Sequence, residues 1–246
     1  MTLTRRSTIL TGAAALAGAG LSAFPRRARA AGGAIGIRPI SHASFVMTLP
    51  EMVIWNDPVG GAELYAGQPA PDLILITHEH GDHLDVPTLE AVVSETTVLV
   101  TNPAVHGMLP AALQARATPL ANGERTEVGA LSIEAIPAYN TTPERLQYHP
   151  QGRDNGYLLT AGDTRIYIAG DTEDTPEMRA LEDIDIAFLP MNLPYTMTVE
   201  QAAAAVAAFR PAEVWPYHYR DSDVEAFAAA VAEGDSGTEV RRGPWY

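Results

Sequence analysis

Residues 74–85 read ILITHEHGDHLD and set His78, His80, Asp82 and His83 directly behind an apolar run. The chain has 7 histidines, and three of them fall in this stretch. Imidazoles and carboxylates are costly to bury unless they are paired or bound to a metal. Strand alternation sends His78 and His80 to one side, and Gly81 allows a tight turn that brings Asp82 and His83 after them. Nitrogen and oxygen donors gathered in this way suit a borderline divalent cation, Zn2+ first, with Mn2+, Fe or Ni2+ as other occupants. A solvated loop that happens to be rich in histidine is the bland alternative. Four ligand-type side chains behind a buried strand weigh against it.

Two more ligand-type residues close apolar strands further along: Asp171 in IAGDT and His218 in WPYHY. Taken singly, each reads equally well as a turn aspartate or an edge histidine. With them, the HEHGDH run resembles the H-x-H-x-D-H signature of the metallo-β-lactamase superfamily. GDT at 170–172, PYHY at 216–219 and TMTVEQAA at 196–203 extend the likeness over roughly residues 35–220, toward the branch that includes ascorbate-phosphate lactonase-like hydrolases. The resemblance implies an αββα sandwich of two mixed β-sheets flanked by helices, with a dinuclear site. It implies that His78 and His80 hold a first metal, that Asp82, His83 and His218 hold a second, and that Asp171 bridges them.

One ligand of the family pattern is missing. The strand-end position where a third histidine would serve the first metal reads IPAYN, with Asn140 in its place. His149, nine residues on, is the preferred substitute over Asn140 or water, since zinc rarely chooses an amide oxygen. Asp57 in IWNDP resembles the family's strand-end aspartate that orients a metal-binding loop. His42 in SHASF resembles a position near the site, and a core or turn role suits it at least as well. His106 reads as a helix-end or surface residue.

Composition narrows the chemistry. The chain has no cysteine, which excludes disulfides, thiol nucleophiles and cysteine-bound metals. It also has no lysine, all 16 basic residues being arginine, which excludes a Walker-type phosphate loop and Schiff-base catalysis. A hydrophobic share of 46% can supply a substantial core in 246 residues, as one domain over 31–246.

Residues 1–30 read differently. A basic start with Arg5-Arg6, a Gly/Ala-rich apolar middle and a small-residue site at 28–30 describe a twin-arginine export signal, and with it a periplasmic or extracellular location. The apolar run is short, broken by glycines and closed by Pro25, so no stable membrane span is expected once the signal is removed. The remainder carries 11 arginines against 30 acids, a formal charge of −19. Such a surface repels nucleic acid, and the expected partner is a small-molecule substrate.

The positioning elements follow from periodicity and caps. IGIRPI is a strand, SFVMTLPEMVIWNDPV a hairpin turned near Pro50-Glu51, and DLILIT and TVLVT are buried strands. Hairpins are expected around Gly129 and around Gly162-Asp163, and IDIAFLP and AEVWPYHY are further strands. Helices are expected from Val86 with Asp85 as cap, in broken form over 102–115, from Thr175-Pro176, from a Thr198–Gln201 capping box, and from a Ser222–Glu225 cap. Hairpins followed by strands alternating with helices imply layered α/β with mixed sheets.

Two cations about 4 Å apart can share a hydroxide, lower its pKa and polarise a scissile bond. The expected activity is hydrolysis of a small ester, lactone, amide or phosphodiester, with Asp82 and His218 as the catalytic pair among the ligands. The alternative is a redox or non-catalytic metal-binding member of the same fold. Tyr139, Tyr195, Tyr217 and Tyr219 are candidate pocket walls, ordinary packing being the plainer reading of each.

Overall fold

The structure is a computed structural model and describes Met1 and residues 34–246; the expected export signal falls outside the described residues. Among the described residues thirteen strands form two sheets. The first runs in spatial order β1 (Gly36–Ser41), β2 (Ser44–Leu49), β3 (Met52–Asn56), β4 (Leu73–Leu75), β5 (Val98–Thr101), β6 (Ala117–Pro119). The second runs β13 (Glu239–Val240), β12 (Glu213–Tyr217), β11 (Ile186–Pro190), β10 (Thr164–Ile168), β9 (Asp154–Ala161), β8 (Leu131–Ala138), β7 (Arg125–Val128). Each sheet is half antiparallel meander and half parallel. In the first, β1, β2 and β3 pair antiparallel and β3 to β6 parallel. In the second, β7 to β10 pair antiparallel and β10 to β13 parallel.

Three apolar clusters show the layering. The central one lies between the sheets, where Phe45 of β2 stacks on Phe188 of β11 at 4.2 Å between ring centroids. A second joins the outer face of the β7–β13 sheet to α4 (Pro176–Arg179), α5 (Val199–Phe209) and α6 (Val224–Glu233). A third joins the other sheet to α1 (Val86–Val92), α2 (Pro103–Met108) and α3 (Ala111–Gln114). The result is the expected αββα sandwich. β8 shows the logic in one strand: Leu131, Ile133 and Ala135 enter the intersheet core, while Ile136 packs toward the helices.

Local signals act as the sequence implies. Asp85 and Thr175 cap α1 and α4, and Thr198 and Gln201 complete both halves of the capping box on α5. One cap differs. Asp223 rather than Ser222 caps α6, accepting from the N–H groups of Glu225 and Ala226, because the Ser222 hydroxyl is spent on the Met191 carbonyl. The short strands β6 and β13, and the 3-10 turns at 62–65 and 143–145, carry no periodic signal and were not expected. No helix of the described residues is long and apolar enough to cross a membrane.

Candidate metal centre

Parallel pairing aligns strand ends. Asp57 follows β3, the HEHGDH run follows β4, Asp171 follows β10 and His218 follows β12, all at one edge of the sandwich. The chain reaches this edge with unusual backbone. His42, Asp57 and His218 hold φ of 52°, 43° and 46°, a region that costs an L-residue energy and that gathers at functional sites. Gly170 (φ 66°) delivers Asp171: a Cβ there would stand 2.7 Å from the Asn155 carbonyl oxygen.

Six of the seven histidines meet here, in overlapping groups: His78, His80 and His149; His78, His83 and Asp171; and His42, Asp82, His83 and His218. Asp171 sits among them. Its carboxylate oxygens lie 3.2 Å from His218 Nε2, 3.4 Å from His83 Nε2, 3.4 Å from His149 Nε2 and 3.9 Å from His78 Nε2. His218 Nε2 also lies 3.5 Å from Asp82 Oδ2.

Three of the rings are held from behind. Asp57 Oδ2 accepts from His83 Nδ1 at 2.8 Å and Asp154 Oδ2 takes His149 Nδ1 at 2.9 Å. Thr77 donates its hydroxyl to Asp57 and takes His78 Nδ1 at 3.0 Å. With Nδ1 occupied from behind, the Nε2 atoms of His83 and His149 are left facing Asp171, while His78 Nε2 meets His80 Nδ1 at 3.1 Å. There the pairing stops. His83 Nε2, His149 Nε2, Asp171 Oδ1 and both ring nitrogens of His218 are buried without a hydrogen-bond partner. Buried polar atoms are nearly always satisfied, so unpartnered nitrogens and oxygens aimed at a common space fit a set of metal ligands.

The titration behaviour agrees with that chemistry. Burial and the neighbouring histidines push His78 well below the ordinary imidazole range, which favours a neutral ring with a free lone pair. Burial, with His149 beside it, also lowers His80. Burial would raise Asp171, but the surrounding His218, His83 and His149 outweigh it and keep the carboxyl ionised. His83 departs from this pattern: burial would lower it, but Asp171 and Asp57 prevail and raise it to about 9, so its ring holds a proton that a cation would have to displace.

The other expectations divide. His149 joins the group of His78 and His80, whereas the Asn140 amide nitrogen donates to the carbonyls of Arg145 (3.1 Å) and Tyr195 (2.7 Å) and its oxygen is buried without a hydrogen-bond partner. Asp57 is where an orienting residue belongs. His42 is in the cluster, with its Nε2 3.0 Å from Asp82 Oδ2. His106 lies in the last turn of α2, away from it. Of the four tyrosines, Tyr195 lines the cavity in front of the ligands. Tyr139 bonds Glu177, Tyr217 is buried in the intersheet core, and Tyr219 packs on Tyr246.

Four participants escape a sequence reading. Asp154 holds His149, and Tyr246 bonds His42 Nδ1 at 2.7 Å. Arg220 lines the cavity. Glu173, fully buried, gathers the loop that carries His149: it accepts from the N–H groups of Thr141 and Thr142 at 2.6 Å each, and from Arg145 at 2.5 Å. Nothing in the sequence pattern marks these four, except that Glu173 follows the GDT turn by one residue.

Residues 56–219 match the family described as the beta-lactamase superfamily domain. A UPF0173 metal-dependent hydrolase of Thermus thermophilus is 31% identical, covering 85% of this chain and 97% of its own. The crystal structure of a proposed metal-dependent hydrolase from Parabacteroides distasonis is 46% identical, with a TM-score of 0.79 over 86% of this chain and 94% of that one. A metallo hydrolase from Ignicoccus hospitalis, 22% identical, shares the fold with a TM-score of 0.70 over 85% of this chain and 94% of its own.

Proposed function

Because the chain belongs to the beta-lactamase superfamily, we propose that it is a metal-dependent hydrolase working at a two-cation centre on a small ester, lactone, amide or phosphodiester. One observation carries the reading: the unpartnered Nε2 atoms of His83, His149 and His218 converge on Asp171, with His83 and His149 each held at Nδ1 by a second carboxylate. His78, His80 and His149 would hold one cation and Asp82, His83 and His218 the other, with Asp171 between. The donor set, imidazoles with two carboxylates and no thiolate, suits Zn2+, and also Mn2+, Fe or Ni2+. Bound there, the pair supplies a water nucleophile ionised near neutral pH and polarises the bond under attack.

The remaining work belongs to the chain. Asp82 is the exposed carboxylate of the cluster, its side chain 41% accessible and facing the cavity. Burial opposes its ionisation, but His218 and His42 hold it well below the usual carboxylate range, so Oδ2 is an acceptor that can orient a water. Asp57, Asp154 and Thr77 fix the imidazole orientations, and the intersheet core excludes water from behind.

The test is a screen of chromogenic esters, lactones, amides and phosphodiesters on metal-replete protein, before and after chelation. The reading expects turnover that a strong chelator abolishes, that added metal restores and that a fluorophosphonate leaves intact. Turnover that survives chelation and is lost on serine labelling contradicts it.

We also propose that residues 1–30 direct export by the twin-arginine route to the periplasm or beyond. That route carries folded proteins, which suits a site assembled from residues 78 to 218. Replacing Arg5-Arg6 with two lysines should leave the precursor in the cytoplasm, and undisturbed export would contradict the proposal.

A further inference from the structure

The cavity in front of the cluster has a volume of about 330 Å³, and its outer wall is built from Tyr148, Asn192, Tyr195 and Arg220. Arg220 is the one arginine that lines this cavity. Elsewhere Arg125, Arg145, Arg153, Arg179, Arg241 and Arg242 each sit on a carboxylate. The guanidinium of Arg220 has no carboxylate partner among the described residues, while its backbone is fixed at φ 43° with its N–H donating to the Tyr246 hydroxyl at 2.9 Å. A cation on a fixed base with an uncommitted head, at the mouth of a cavity, is arranged to meet an anion. Two divalent cations at the floor would outweigh Asp82 and Asp171 and leave the cavity positive. Tyr148 and Tyr195 meet edge to face, 4.9 Å between centroids at 73°, and offer ring surface beside it.

We propose that this cavity takes a small organic anion, a carboxylate or phosphate ester with a flat apolar group, whose anionic end is gripped by Arg220 and whose apolar part lies on Tyr148 and Tyr195. The proposal names the substrate class of the two-cation site and rests on that reading. A planar fork binds either anion through two parallel N–H bonds, which a neutral group of the same shape cannot match.

The experiment is calorimetric titration of zinc-loaded full-length protein with benzoate, phenylphosphonate and neutral benzamide, in wild type and Arg220→Met. At least one anion should bind wild type more tightly than benzamide and lose about tenfold or more in the variant, with Arg220→Lys intermediate and metal content equal in all three. The tighter of the two anions assigns the headgroup, carboxylate or phosphate. Anion affinity unchanged in Arg220→Met at equal metal content would mean that the cations alone hold the ligand, and would overturn the proposal. So would failure of both anions to bind. Binding is read without turnover, so this result and the hydrolysis screen can fail independently.

Discussion

His42 Nε2 stands 3.0 Å from Asp82 Oδ2, and the other nitrogen of His42 meets the Tyr246 hydroxyl at 2.7 Å. The Tyr246 hydroxyl in turn accepts the Arg220 N–H, so a chain of hydrogen bonds runs from the cavity mouth to the exposed carboxylate of the cluster. His42 is tied by its backbone as well, its carbonyl accepting the N–H of His218 at 3.0 Å. Two loops far apart in sequence thus set Asp82 and His218 together.

His42→Phe keeps the buried ring and removes both side-chain bonds. Affinity for the cation at the Asp82–His83–His218 position should fall by about 10- to 100-fold, the usual cost of losing a partner behind a ligand. Tyr246→Phe should move it in the same direction by less. Competitive chelator titration reads both, and wild-type affinity in His42→Phe would remove His42 from the site.

The cluster is legible in sequence where ligand-type residues crowd behind one strand, as at 78–83, or close an apolar strand, as at 171 and 218. The layered fold is legible for the same reason, since Gly-centred hairpins and capped helices are local signals. His42 is reached only through the family resemblance, and Asp154 and Tyr246 are illegible because their roles exist only across the assembled sandwich. Asp154 opens β9 like any strand-end aspartate, and its importance comes from His149 arriving over an irregular loop. Ser222 and Asp223 are both good caps on paper, and only the position of the Met191 carbonyl decides between them.

The Asn140 position separates stability from binding. Asn140→Ala removes the donor to two part-buried loop carbonyls and should cost about 1 kcal/mol of stability, seen as a lower Tm, with the metal content kept. His149→Ala should lose a cation, while His106→Ala should change neither. Loss of metal in Asn140→Ala with retention in His149→Ala would exchange their assignments.

Glu173 predicts an acid limit. Burial would raise its pKa, but the Thr142 and Thr141 donors prevail and hold it at about 2, against an ordinary value of 4.5. A folded pKa below the unfolded one contributes stability that is present above about 4.5 and lost as pH falls toward 2, worth about 3 kcal/mol when complete. Urea unfolding between pH 7 and pH 2 should therefore fall more steeply for wild type than for Glu173→Gln, which starts lower at neutral pH. Parallel curves would contradict this role.

Elemental analysis of purified wild type and Asp171→Ala, both loaded with zinc, bears most directly on the proposed two-cation centre. The geometry around Asp171, with four histidines within 3.9 Å of its oxygens, predicts close to two cations per wild-type chain and loss of most of both in the variant. A wild-type chain that holds none after growth with zinc, manganese and iron, or an Asp171→Ala chain that keeps its full content, would contradict it.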